Sequence, residues 1–167
     1  MKAFIFLIAL LPAQLFAQTE FKKRSQLLAL EFLQGFNRPQ GGPELYLADL
    51  RLAYQYTVVP GILRLGATAG GAYSNRTASA FAGPTAALRL LNLNTEMGSV
   101  ANLQLLLEHL WGTGHQKLAG GGLRAALGNT VLLSLLAHRD YHHDYWNFQF
   151  GIGINFIHEK IHPVNPD

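Results

Sequence analysis

The chain has 167 residues, of which only 14% are charged, whereas a typical soluble domain contains about 25% charged residues. The formal net charge of +3 is small, and no dense basic run is interleaved with aromatic residues, so the composition argues against nucleic acid as a partner. Cysteine is absent, which excludes a disulfide framework and thiolate chemistry.

The N-terminal segment has the composition of a secretory signal peptide. Lys2 precedes nine apolar residues and Pro12, and the small residue Ala17 is followed by the polar residues Gln18-Thr19-Glu20. This apolar run is far shorter than the roughly 20 residues of a membrane-spanning helix. We therefore predict a signal peptide over residues 1–17, with cleavage after Ala17. A buried N-terminal helix is the alternative.

The sequence after this leader alternates between apolar and polar residues with a period of two, which is typical of β-strands. The opposite faces of the last segment show it best: Asn147, Gln149 and Asn155 share one face. The other face carries the apolar residues Trp146, Phe148, Phe150, Ile152, Ile154 and Phe156. Eight such segments are predicted, over residues 24–34, 45–58, 62–73, 79–92, 99–111, 116–127, 130–140 and 145–157.

Segment length and flanking residues bear on two alternatives. The predicted strands are long for a soluble protein and suit strands that cross a membrane at a tilt. A helix is the alternative for residues 99–110, because leucine is a good helix former. Gly98 and Gly112 flank this segment and favour a strand.

The connections between the predicted strands are short, which favours an up-and-down meander. Val59-Pro60-Gly61 and Gly128-Asn129 have the residues of tight turns, and residues 92–98 form a slightly longer turn. If both termini are periplasmic, these alternate connections all lie on the periplasmic side. The remaining connections face outward and cover residues 35–44, 74–78, 112–115 and 141–144.

The two faces of the strands differ in a way that predicts which one is outside. One face mixes small residues with large polar ones, and these are the candidates for an ion-pair network inside a narrow lumen: Glu31, Asp49, Arg51, Arg64, Arg89, Glu108, Arg124 and His138. The other face is apolar, with aromatic residues near the segment ends that suit interfacial girdles: Tyr54, Tyr56, Tyr73, Trp111, Tyr141, Tyr145, Trp146 and Phe156. We therefore predict an all-β fold over residues 18–157, an eight-stranded antiparallel up-and-down membrane β-barrel, followed by a C-terminal tail at 158–167. A soluble lipocalin-like carrier, with its apolar face inside, is the alternative.

This pattern resembles the small eight-stranded outer-membrane barrels, such as the transmembrane domain of OmpA and OmpX. The leader ending in Ala17-Gln18 and the closing strand Phe148–Phe156, with its Gly-x-Gly, resemble compact barrels of Bacteroidetes-type bacteria and the TraO proteins of conjugative transposons. The resemblance implies a bacterial outer-membrane location, with lipid and other envelope proteins as partners. Many such barrels end on the final aromatic residue, whereas further residues follow Phe156 here.

Two groups of residues have side chains that could carry chemistry. His138, Arg139, Asp140, His142, His143 and Asp144 cluster at one predicted connection, but their spacing matches no metal signature, so no metal or other cofactor is predicted. Ser134 and His138 share a strand face with Glu108 nearby; four residues along a strand are about 13 Å, too far for a serine–histidine hydrogen bond. No catalytic residue is assigned. We expect a structural, adhesive or envelope-complex role without a general pore, and a lipid A deacylase or acyltransferase is the alternative.

Overall fold

A computed structural model of the chain describes residues 26–38, 42–95, 98–128 and 130–156. The predicted signal peptide at 1–17, the tail at 158–167 and Asn129 of the predicted hairpin lie outside the described residues. The strands are β1 Gln26–Arg38, β2 Leu45–Val59, β3 Leu63–Ser74, β4 Thr77–Thr95, β5 Gly98–Gly112, β6 Lys117–Leu127, β7 Val131–Asp140 and β8 Tyr145–Asn155. A short 3-10 turn at Thr113–His115 precedes β6.

The eight strands form one closed barrel in chain order, which confirms the predicted all-β up-and-down fold. Each strand pairs antiparallel with the next, and β1 pairs with β8 to close the sheet, with Leu33 opposite Gly151. The segment at 99–110, for which a helix was the alternative, lies within β5. Among the described residues, no helix is long and apolar enough to cross a membrane.

Turn residues explain why the strands reverse where they do. Gly61 has φ 76°, and the amide of Ile62 donates to the carbonyl of Val59 at 3.1 Å. Asn75 and Arg76 join β3 to β4 with φ values of 48° and 61°, the left-handed conformation that a two-residue hairpin turn requires. The predicted longer turn at 92–98 is shorter in the structure, because β4 continues to Thr95 and β5 begins at Gly98.

The barrel has two distinct ends, which we name by their connections. The loop end carries the connections that follow β1, β3, β5 and β7, and the turn end carries those that follow β2, β4 and β6.

Gly121, in the middle of β6, shows how closely the strands approach. A Cβ atom there would lie 1.8 Å from the carbonyl oxygen of Leu106 on β5. The glycine run at 120–122 is therefore required by backbone proximity.

The interior is not purely polar, which corrects the expected polar lumen. Three small apolar clusters point inward and pack around the charged groups; they consist of Leu33, Ala87, Leu106 and Leu136, of Leu27, Ala29 and Leu132, and of Phe81, Leu110 and Leu118. An eight-stranded barrel is only wide enough for side chains. Space that the ion pairs leave is therefore filled by leucine, because an unpaired polar group there would be costly.

Candidate functional site in the barrel lumen

The largest polar group in the lumen is centred on Arg51 of β2, and we call it the Arg51 cluster. Its guanidinium donates through Nη1 to Glu108 Oε2 of β5 at 2.8 Å and through Nη2 to Asp49 Oδ2 of its own strand. Nη2 also donates to Gln149 Oε1 of β8 at 3.2 Å, while Gln149 Nε2 donates to Asp49 Oδ2 at 3.0 Å. The Arg51 side chain is 1% exposed. One arginine thus links three strands across the interior.

Glu108 is the second centre of this cluster. Its Oε1 accepts a hydrogen bond from the hydroxyl of Thr68 at 3.1 Å, and its Oε2 lies 3.0 Å from Nε2 of His138. The Phe81 ring lies beside the guanidinium, with its centroid 5.4 Å from Arg51 Cζ. A carboxylate that is paired with a guanidinium and hydrogen-bonded through both of its oxygens is compatible with burial. The Arg51 cluster therefore blocks the lumen at this level of the barrel.

A second, separate group contains Arg124 of β6, and we call it the Arg124 cluster. Arg124 Nη2 forms an ion pair with Glu31 Oε2 of β1. The hydroxyl of Ser134 donates to Glu31 Oε1 at 2.7 Å, and Arg124 Nε lies 3.4 Å from the same hydroxyl. All three side chains are buried. Together the two clusters contain six of the eight residues that the sequence analysis assigned to the lumen.

The remaining two predicted residues lie near the turn end of the barrel. Arg64 Nε donates to Thr57 Oγ1 at 3.3 Å, and Arg64 and Arg89 line a cavity of about 10 Å³ together with Gln104. Both arginines are half-buried. The lumen thus holds basic groups at the turn end and mixed charges toward the loop end.

The described residues enclose a small cavity at each end of the lumen. The cavity at the loop end has a volume of about 40 Å³, and the one at the turn end about 10 Å³. Roughly 10–15 Å³ of such space holds one water molecule, so both cavities are on the scale of a few waters. The Arg51 and Arg124 clusters lie between the two ends.

Ser134 and His138 do not contact each other in the lumen. Ser134 binds Glu31 in the Arg124 cluster, while His138 binds Glu108 in the Arg51 cluster. A serine nucleophile needs an imidazole within hydrogen-bond reach of its hydroxyl. Within the described part of the chain, Ser134 and His138 therefore act as partners of two different carboxylates.

The histidines near β7 form a group at the loop end. Asp140 is their anchor: its Oδ1 accepts the amides of His142 and His143 at 2.8 and 3.1 Å, and its Oδ2 lies 3.0 Å from Nδ1 of His143. Arg139 forms an exposed ion pair with Asp144. Among the described residues, no group of three or more His, Cys, Asp or Glu side chains is placed to hold a metal ion.

The outer surface of the barrel is apolar. All six residues that the sequence analysis assigned to the lipid face of the last strand are exposed: Trp146, Phe148, Phe150, Ile152, Ile154 and Phe156. Phe150 is 64% exposed, and Leu135 on the neighbouring strand is 63% exposed. Tyr145 differs from the prediction of a girdle position, because it lines the loop-end cavity, where Gln116 Nε2 donates to its hydroxyl at 3.3 Å. Its position two residues before the inward Asn147 explains this, since side chains two apart share a face.

Several lumen residues were not singled out as members of the predicted network. Thr68 and Gln149 complete the Arg51 cluster, and Ser134 completes the Arg124 cluster. Asn37 is buried at the loop end, where its Nδ2 donates to Ser74 Oγ at 3.0 Å. The period-two pattern places each on the inward face, but small polar residues carry no charge that would mark them as partners.

No protein-family model matches the sequence, and no match was found among curated proteins.

Proposed function

We propose that this protein is a β-barrel of a bacterial outer membrane, with a filled lumen and a structural, adhesive or envelope-complex role. The observation that carries the proposal is the distribution of side chains across the barrel wall. Ion pairs occupy the inside, and large apolar residues such as Phe150 and Leu135 cover the outside. Lipid is the solvent that suits such a surface.

Exposed apolar residues occur on every strand of the barrel. Each strand carries at least one exposed large apolar residue, for example Phe32, Leu52, Leu65, Leu91, Leu107, Leu123, Leu133 and Ile152. Monomeric soluble proteins rarely expose contiguous apolar patches larger than a few hundred Å². The exposed aromatic residues Tyr73, Trp111 and Trp146 lie close to the loop end, where an interfacial girdle is expected in a membrane barrel.

A closed sheet also suits a lipid environment. Backbone N–H and C=O groups cannot bind water in the hydrocarbon core, so a spanning sheet must leave no free edge. The pairing of β1 with β8 removes the edge here. The strand number and the filled interior agree with the resemblance to the small barrels exemplified by the OmpA transmembrane domain and OmpX.

The filled interior favours a scaffold over a transporter. A barrel whose lumen is crossed by Arg51–Glu108 and Arg124–Glu31 ion pairs has no room for a solute. The soluble carrier is disfavoured for the same reason, because its ligand would need an apolar cavity of roughly 300–1,000 Å³. The lipid-modifying enzyme is disfavoured because Ser134 and His138 bind separate carboxylates. The role left is presentation of the short loop-end connections, or contact with another envelope protein.

The experiment uses the absence of cysteine from the chain. Single-cysteine variants at Phe150, on the outer face of β8, and at His142, an exposed residue of the loop-end connection between β7 and β8, are labelled with an environment-sensitive fluorophore after refolding into vesicles that contain brominated lipid. We expect strong quenching at position 150, which faces the acyl chains, and weak quenching at position 142, which lies at the loop end. Heat-modifiable migration of the membrane fraction and a lack of ion conductance in planar bilayers should accompany this result. Equal quenching at the two positions, or recovery of the protein only in the soluble fraction, would refute the membrane location.

A further inference from the structure

The loop-end cavity has a lining that differs from the rest of the lumen. It measures about 40 Å³ and is bordered by Asn37 of β1, Asp49 of β2 and Asn147 of β8. These residues are 7%, 3% and 6% exposed, respectively. The cavity is therefore small, and its lining combines these buried polar side chains with apolar ones such as Phe81 and Leu110.

Three oxygen atoms of this lining lack a partner in the described part of the chain. Asn37 Oδ1, Asp49 Oδ1 and Asn147 Oδ1 accept no hydrogen bond there, although all three are buried. A buried acceptor without a partner costs about 1–3 kcal/mol. Three such acceptors around one cavity therefore destabilise the fold unless a cation or a hydrogen-bond donor is bound among them.

The local charge favours a cation as the bound species. Asp49 and Glu108 are both ion-paired to the single guanidinium of Arg51, so these three side chains together carry one excess negative charge when ionised. Among the described residues, the other titratable member of the Arg51 cluster is His138, which lies against Glu108. Asp49 Oδ1 faces away from this pairing, since Arg51 and Gln149 both bind Oδ2.

The donor set indicates the kind of cation. Carboxylate and amide oxygens are the ligands of hard cations such as Ca²⁺ and Na⁺, whereas zinc and copper prefer nitrogen and sulfur. Asn37 and Asn147 face each other across the β1–β8 seam, where they are register partners. We propose that the loop-end cavity binds one hard cation through Asp49, Asn37 and Asn147, with water completing its coordination. Arg51 Nε, which also lacks a partner among the described residues, would donate to such a water molecule.

Binding at this place would join the first and last strands to β2. Because Asn37 and Asn147 lie on the two strands that close the barrel, a cation bound to both would hold β1 and β8 together at the loop end. The inference is independent of the membrane proposal, since the cavity would bind the ion in detergent as well as in lipid.

The test measures cation binding to the purified full chain in detergent micelles. Ca²⁺ is titrated by calorimetry, and thermal unfolding is followed in NaCl and in choline chloride at equal ionic strength. The variant Asn147→Ala removes one proposed ligand. Asn102→Ala is the matched control, because Asn102 Oδ1 is also buried and without a partner among the described residues but does not line this cavity.

We expect one Ca²⁺ per chain, with affinity at least tenfold weaker in Asn147→Ala and within twofold of the parent in Asn102→Ala. A Na⁺ site would instead raise the melting temperature in NaCl over choline chloride, in the parent and Asn102→Ala but not in Asn147→Ala. If Asn147→Ala does not fold, Asn37→Ala makes the same comparison. No cation-specific effect in the parent would overturn the proposal and leave water as the occupant, and equal effects in the Asn147 and Asn102 variants would overturn it as well.

Discussion

Replacement of Glu108 by glutamine tests whether the lumen ion pairs stabilise the barrel. The carboxylate is fully buried and has three partners: Arg51 at 2.8 Å, His138 at 3.0 Å and Thr68 at 3.1 Å. An amide of the same shape has a single acceptor oxygen and no charge. Arg51 then keeps only Asp49 as a counter-charge, and at least one former partner of Glu108 loses its acceptor.

The expected cost follows from this count of partners. Removal of one member of a buried ion pair typically costs about 3–5 kcal/mol. Because Asp49 and Gln149 still bind the guanidinium, we expect a value near the lower limit, about 3 kcal/mol of unfolding free energy. Asp144→Asn is the matched control. It neutralises an ion pair with Arg139 whose side chains are 50% and 38% exposed, and such pairs contribute about 0–1 kcal/mol.

The assay is reversible urea unfolding in lipid vesicles, followed by the fluorescence of Trp111 and Trp146, the two tryptophans of the chain. Both lie on the outer surface. Because Arg139, the partner of Asp144, lies 5.9 Å from the centre of the Trp146 ring, the unfolding free energies are compared and not the absolute fluorescence intensities. The difference between the Glu108 and Asp144 variants should exceed about 2 kcal/mol, on the same reasoning about buried and exposed pairs. Losses that agree within about 0.5 kcal/mol, the usual size of a surface effect, would show that the network does not contribute to stability.

Three further substitutions test the wall of the barrel. Phe150→Arg should cost about 2–4 kcal/mol in vesicles if residue 150 lies near the bilayer midplane, whereas His143→Arg at the loop end should cost almost nothing; parental stability of the Phe150 variant in urea titrations would contradict the outward, lipid-facing orientation. Gly121→Ala should lower the unfolding free energy by about 1–3 kcal/mol through overpacking, because its Cβ would lie 1.8 Å from the Leu106 carbonyl oxygen. Gly71→Ala is the control and should be close to neutral, because the nearest neighbour of its Cβ would be 3.5 Å away. Similar urea midpoints for the two variants would argue against the close approach of β5 and β6. Arg76→Gly should stabilise the β3–β4 turn by up to about 1 kcal/mol, because glycine removes the strain of φ 61°, and a lower melting temperature would show that the arginine side chain matters more than the turn.

The sequence by itself determined the strands and the side of the wall on which most residues lie. Successive side chains of a strand point to opposite faces, so the alternation from Trp146 to Phe156 specified both faces of β8 without knowledge of any other strand. The residues Val59-Pro60-Gly61 did the same for the reversal between β2 and β3, because proline and glycine favour a tight turn. These are local properties, and each is encoded within a few residues.

Only the tertiary structure decided which groups meet inside. Arg51 and Glu108 are separated by 57 positions, and they face each other only because the closed sheet brings β2 and β5 to opposite walls of a narrow lumen. The alternation does place Leu106 on the inner face, two residues before Glu108, and it is fully buried whereas Leu107 is 55% exposed. That leucines fill the space between the ion pairs follows only from the narrow closed lumen. The register of all eight strands also decides that Ser134 and His138 belong to different clusters. It likewise forms the loop-end cavity, which is bordered by Asn37, Asp49 and Asn147. Contacts across a lumen are therefore a property of the closed barrel, which no single strand encodes.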